Sequence, residues 1–320
     1  MRKFVFLLLV FGALAGAMFV APWWGAGPSD EDGSVVVTPG TSVAALGAQL
    51  EEQGLIDLSP ERWSLLARVF GGSDPIKVGE FEVPAAASPA DIMDIVQHGR
   101  PLQRFVTIPE GLPSILVKER IDALEQLTGE TPLPEEGSIL PQTYDYQRGE
   151  TRAALIARMQ AAMEEALAKA WEERSERAVV NTPEEAIILA SIVEKETALP
   201  EERRMVAGVM SNRVRLGMML GADATTIYPI TKGKPLGRLI RRSELDDPNP
   251  YNTRAISGLP IGPITNPGIE SIRAVLDPAD TDALYYVADG SGGHVFAKTL
   301  SEHNENAARW RQIRRERGEL

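Results

Sequence analysis

Residues 182–197, Thr-Pro-Glu-Glu-Ala-Ile-Ile-Leu-Ala-Ser-Ile-Val-Glu-Lys-Glu-Thr, read as a helix that drives a carboxylate into its own apolar face. Thr182 suits the cap, Pro183 the first helical position, where a missing N–H costs nothing, and Glu185 the reciprocal capping-box position. At about 100° per residue, Ile188, Leu189, Ile192 and Val193 form one arc, and Glu196 lies near its centre. Glu194 and Lys195 fall outside that arc. A carboxyl group held among aliphatic side chains loses hydration as an anion. Its pKa therefore rises, and it can stay protonated near neutral pH, which is what a general acid requires. The alternative is a solvated helix end, or an ion pair with Arg203 or Arg204 close by in sequence.

A chain of 320 residues with 43% hydrophobic content has room for two folded domains and a tail. Its net charge of −12 argues against a nucleic-acid partner, because no basic surface is large enough to displace many counterions. A neutral or weakly charged polymer is easier to accommodate. The absence of cysteine excludes disulfides, thiolate zinc sites and cysteine nucleophiles. His98, His294 and His303 lack the spacing of a helical metal site, so no metal is expected.

In chain order, Met1-Arg2-Lys3 precedes an uncharged apolar run over residues 4–21, followed by Pro22, Trp23 and Trp24. Residues 1–24 are expected to form a cytoplasmic stub and a transmembrane anchor with the tryptophans at the far interface. The competing reading is a signal peptide cleaved after Ala15-Gly16-Ala17. Either one exports the remainder of the chain. Residues 25–33, rich in Gly, Pro, Ser and acids, read as a linker. From residue 34 an extended segment and a Pro-marked turn lead into a helix three times over, and residues 34–100 have the strand-helix-helix-strand plan of a LysM-like module. A plain α+β spacer is the alternative.

Residues 101–320 are expected to be an α+β domain. A long helix capped by Thr151 carries Leu155, Met159, Met163, Leu167 and Trp171 at four-residue spacing, as core packing requires. The helix starting at Pro200 places Asn212 among apolar residues, where it either orients Glu196, binds substrate or serves as a structural amide. Asp223, Thr225 and Thr226 fall in a loop-to-strand segment. Residues 251–268 are dense in Gly and Pro and read as a rigid loop lining a site. Residues 283–288 and 294–297 read as a hairpin with Asp289 and His294 facing each other near its tip.

Taken together, Ala190-Ser-Ile-Val-Glu-Lys-Glu-Thr197, Ser211-Asn-Arg-Val-Arg-Leu-Gly217, Tyr251-Asn-Thr253, Gly258-Leu-Pro260, Asn266-Pro-Gly268, Val287-Ala-Asp-Gly-Ser-Gly-Gly-His-Val-Phe296 and Glu302-His-Asn304 closely resemble the endolytic murein transglycosylases, the YceG-like family. The resemblance runs in order along nearly the whole chain. It implies cleavage of peptidoglycan strands between N-acetylmuramic acid and N-acetylglucosamine with formation of a 1,6-anhydro end. It puts the catalytic glutamate on Glu196 and substrate-binding or supporting roles on Asn212, Arg213, Asp223, Thr225, Tyr251, Asn252, Asp289 and His294. It also implies a single-pass anchor in the cytoplasmic membrane, a catalytic domain on the periplasmic side, and peptidoglycan synthases as candidate partners. No cofactor is implied. The chain departs from the family's usual pattern at Gly221-Ala-Asp223-Ala224-Thr225, at Arg254, where an aromatic residue is common, at Ile261, and at Leu140-Pro-Gln-Thr-Tyr144.

A glycosidase that uses water needs two carboxylates, about 5–5.5 Å apart for retention or about 6.5–9.5 Å apart for inversion. A lytic enzyme needs one, because the muramoyl 6-hydroxyl replaces water. The alternatives are a hydrolytic muramidase with Asp223 or Asp289 as second carboxylate, and a non-catalytic peptidoglycan-binding membrane protein.

Overall fold

The computed structural model describes residues 10–12, 14 and 16–319. The chain forms two compact units, one of residues 1–104 with 145–149 and one of residues 105–144 with 150–320. The fold is mixed helix and strand. Much of the apolar run over residues 4–21 lies outside the described residues, and among those described no helix is long and apolar enough to cross a membrane.

In the first unit, β1 (Gly33–Val37) pairs antiparallel with β2 (Gly79–Val83), Val35 opposite Phe81. Period-two alternation turns Val35, Val37, Phe81 and Val83 inward, where each is essentially fully buried. Between the strands lie α1 (Val43–Glu52), capped by Ser42, and α2 (Pro60–Phe70), capped by Ser59 with Pro60 in the first turn. The expected strand-helix-helix-strand order is present. The two helices approach closely at Gly47, where an added Cβ would lie 2.3 Å from the Trp63 ring. A third helix, α3 (Pro89–His98), starts from a complete capping box between Ser88 and Asp91.

Two expectations change in this unit. Trp23 is 1% exposed and packs against Trp63 with ring centroids 5.3 Å apart, so it is a core residue and not an interface anchor. Only Trp24 is exposed. The segment read as a linker is tied down as well, since Gly27 N–H donates to Ala86 O and Ala86 N–H to Ser29 O.

A second two-stranded sheet is formed by β3 (Arg104–Thr107) and β4 (Thr143–Tyr146). The second unit contains α4 (Ser114–Asp122), α5 (Arg152–Glu172), α6 (Pro183–Glu196), α7 (Arg203–Arg215), α8 (Asp223–Thr231), α9 (Ile269–Leu276) and α10 (Leu300–Glu316). Its core gathers Leu189, Ile192 and Val193 of α6, Val206 and Met210 of α7, and Ile272 and Val275 of α9. The hairpin of β5 (Tyr285–Ala288) and β6 (His294–Ala297) carries α10 against β5.

Residues 223–231 form a helix and not the expected strand. The β-branched Thr225, Thr226 and Ile227 suggest a strand locally, but in the helix the buried hydroxyls of Thr225 and Thr226 are satisfied by Ala222 O and Asn252 Oδ1.

Candidate active site around Glu196

The helix that carries Glu196 is more deeply buried than a one-faced pattern allows. Thr182 Oγ1 caps it by accepting from Glu185 N–H, but the Glu185 carboxylate accepts from the backbone and side-chain N–H of Asn181, so the reciprocal half of a capping box is not formed. Ala186, Ile187, Leu189, Ala190, Ser191, Ile192 and Val193 are all buried. Ser191 Oγ donates to Ile188 O and accepts from Ile264 N–H, which fixes the Pro-rich loop to the helix at 3.1 Å.

Glu194 and Glu196, two residues apart, have opposite surroundings. Glu194 is drawn into the protein on its own side, where Oε2 accepts from Gly268 N–H at 3.0 Å and Ser271 Oγ at 2.6 Å, at the N-terminus of α9. Arg203 stands 3.8 Å from its other oxygen. Of the two arginines that could have paired with Glu196, Arg203 thus serves Glu194 and Glu110, and Arg204 serves Asp277.

Glu196 itself meets a phenol. Tyr286 Oη donates to Glu196 Oε2 at 2.7 Å. Burial pushes the Glu196 carboxyl above the usual carboxylate range; the Tyr286 bond opposes this, Asp223 reinforces it, and His294 and Arg254 pull it down. Tyr286 is held well above an ordinary phenol, first by burial and then by the Glu196 charge and hydrogen bond. The pair thus joins a carboxyl group that can deliver a proton to a phenol that does not ionise.

The ring of Tyr286 is set by β6. His294 packs edge-on to it at 5.3 Å and Phe296 lies at 6.1 Å. His294 is in turn fixed by Glu202, whose Oε2 lies 2.7 Å from Nδ1 and whose Oε1 accepts from the His294 backbone N–H at 2.7 Å. Thr197 Oγ1 donates to the same Glu202 carboxylate at 3.1 Å, closing a chain of contacts from the end of α6 to the hairpin. A Cβ at Gly293 would stand 2.7 Å from Glu202 Oε1, so a side chain there would push against the carboxylate that fixes His294.

Among the residues expected at the site, the charges of Asp223 and His294 act on Glu196. Asp223, the first residue of α8, is exposed and pairs with Nε of Arg254. The others build the scaffold. Asn212 donates to the carbonyls of Thr281 and Ala283, and Arg213 to those of Leu284, Met219 and Leu220. Asn212 is therefore the structural amide, not a partner of Glu196. Thr225 exchanges hydrogen bonds with Thr253, and Asn252 gathers the carbonyls of Glu244, Leu245 and Asp247. Tyr251 packs on Tyr228. Asp289 does not face His294: Ala288 does, while the Asp289 carboxylate closes the turn by accepting from Ser291 and Gly293.

Tyr286, Arg254 and Glu202 complete the site without having been singled out as functional in the sequence. Tyr286 lies 90 residues from Glu196, and its neighbour Tyr285 offers the same chemistry on the opposite face of β5. A separate buried carboxyl, Glu136, is also raised by burial; it accepts from Ser114 N–H, Tyr228 Oη and the Asn266 amide.

The model of the YceG-like family matches residues 35–309. An endolytic murein transglycosylase of Streptococcus pneumoniae serotype 2 is 28% identical over 325 residues, 86% of this chain and 58% of the relative. One of Bacillus subtilis is 33% identical over 172 residues, 54% of this chain and 47% of the relative. The chain thus spans less than two thirds of the length of these curated relatives. A crystal structure of a YceG-like protein from Listeria monocytogenes superposes with a TM-score of 0.54 at 25% identity, covering 87% of this chain and 99% of that one. A family match over most of the chain, with the same architecture in a solved relative, means that the chain belongs to the YceG-like family.

Proposed function

We propose that the protein is an endolytic lytic transglycosylase that cuts peptidoglycan strands between N-acetylmuramic acid and N-acetylglucosamine. The observation that carries this is the carboxyl of Glu196, raised by burial and held through one oxygen by Tyr286. Its other oxygen protonates the glycosidic oxygen as the bond to C1 breaks and an oxocarbenium-like centre develops. The carboxylate so formed takes the proton of the muramoyl 6-hydroxyl, whose oxygen attacks C1 and closes the 1,6-anhydro ring. A hydrolytic route would need a second carboxylate free to activate water, but Asp223 is engaged by Arg254 and Asp289 by its own turn.

The same proposal places the protein at the cytoplasmic membrane through the apolar run over residues 4–21, with the rest on the periplasmic side beside peptidoglycan synthases. The first unit then acts as a LysM-like spacer or glycan-binding module. Support comes from the length of the apolar run and the strand-helix-helix-strand order.

Glu196→Gln keeps the size and the Tyr286 contact but removes the transferable proton. Turnover of purified sacculi is expected to fall by about 10²–10⁴-fold. Mass spectrometry of wild-type products should show ends lighter by one water than reducing ends. Ordinary reducing ends would instead establish the hydrolytic muramidase.

A further inference from the structure

Arg254, whose charge acts on the proposed acid, is held by one edge only. Its Nε donates to Asp223 Oδ1, and its backbone N–H donates to Asn252 Oδ1 at 3.1 Å. Among the described residues no protein acceptor meets Nη1 or Nη2, and the side chain is 41% exposed. The loop that bears it is rigid. Asn252 is almost completely buried and binds three backbone carbonyls, and the buried Thr253 N–H donates to Thr225 Oγ1. Asp223 therefore orients the guanidinium plane while its Nη edge stays open, leaving two parallel N–H donors spaced for a planar carboxylate.

Resting on the function proposed above, we propose that the Nη edge of Arg254 binds a carboxylate carried by the muramoyl residue at the cleavage site. N-acetylglucosamine has no such group. The muramoyl lactyl arm supplies one, either as its own free carboxylate or through the carboxylates of a peptide attached to it. A neutral hydroxyl or acetamide oxygen would use one donor and leave the charge unmatched. The protein's net charge of −12 opposes any anionic ligand at long range, so a preference for carboxylate has to come from a local fork of this kind.

Occupancy also feeds back on the acid. Burial acts most strongly on the charge state of Glu196, followed by Tyr286, Asp223, His294 and Arg254, of which Arg254 favours the ionised form. A carboxylate bound to Arg254 cancels that pull, so the acid is better protonated in the complex than in the free protein.

Binding is measured on the Glu196→Gln protein at fixed ionic strength, so that it does not depend on turnover. The probes are peptide-free strands with free lactyl carboxylates, the same strands converted to methylamides, and peptide-bearing strands with free or amidated peptide carboxylates. Carboxylate strands are expected to bind about tenfold or more tighter than their amides, the effect of a charge-assisted hydrogen-bonding pair. Adding Arg254→Met should abolish or invert that ratio, and Arg254→Lys, which keeps charge without the fork, should recover only part of it. A preference confined to the peptide-free pair identifies the lactyl carboxylate, and one confined to the peptide-bearing pair identifies a peptide carboxylate. Equal binding of acid and amide in both pairs, or a ratio that survives Arg254→Met, overturns the proposal. The proposed function fails on a different result, the absence of 1,6-anhydro ends from wild-type digests.

Discussion

The phenol of Tyr286 and the carboxyl of Glu196 form the central contact of the site, and its sign can be worked out. The hydrogen bond stabilises the carboxylate, so it lowers a pKa that burial raises. Tyr286→Phe removes that stabilisation and drives the Glu196 pKa higher still. Because the protonated acid starts the reaction, activity falls as pH rises through that pKa; in Tyr286→Phe the falling limb should move to higher pH. The rate at the optimum should drop by roughly tenfold, since the carboxyl loses the bond that orients it. Asp223→Asn should shift the limb the other way, because Asp223 raises the Glu196 pKa and its loss also leaves Arg254 uncompensated. A pH–rate profile of kcat/KM for both variants checks the pair. Limbs that coincide with wild type would mean that another group controls the acid side of the reaction.

Glu194 does its work between elements, joining α6 to α9. Its carboxylate accepts from Gly268 N–H and Ser271 Oγ where the N-terminus of α9 concentrates partial positive charge. With its side chain 6% exposed, Glu194→Gln leaves one acceptor, loses the charge, and should cost about 1–2 kcal/mol. Thermal denaturation should register this while 1,6-anhydro product forms at a near-normal rate well below the transition. A loss of rate as deep as that of Glu196→Gln would place Glu194 in the chemistry. The sequence shows Glu196 on the apolar arc of α6 but not the burial of Glu194, because the hydrogen-bond donors to Glu194 come from more than 70 residues away. Local signals carried far: Thr151 and Thr182 cap the helices their positions predict. They fail where tertiary bonds override propensity, as at Thr225 and Thr226. They also cannot tell which of Tyr285 and Tyr286 turns toward Glu196, because a one-residue change of register exchanges the two faces of a strand.

Across the molecule, two hydrophobic cores with separate membership imply two unfolding events, each with its own buried carboxylate. Glu80 in the first unit accepts from Ser34 Oγ and is paired with Arg104 and Arg148. Burial works against its ionisation, but those partners outweigh burial and hold its pKa below the usual range. Glu136 in the second unit is raised, chiefly by burial. A depressed carboxyl gives stability that is present above its unfolded pKa and lost as pH falls through the folded value; a raised one gives stability that is full below its unfolded pKa and lost as pH rises through the folded value. Glu80→Gln should therefore lower the first-unit transition at pH 7, by about 1–3 kcal/mol for charged partners left without their carboxylate, with a deficit that shrinks on acidification. Glu136→Gln should compare best with wild type at pH 7 and lose ground in the second-unit transition as pH drops toward the ordinary carboxylate range. Scanning calorimetry of both variants between pH 7 and about pH 4 resolves the two effects. A single cooperative transition, or deficits that move in the same direction with pH, would show that the two cores do not melt as independent units with carboxylates of opposite sign.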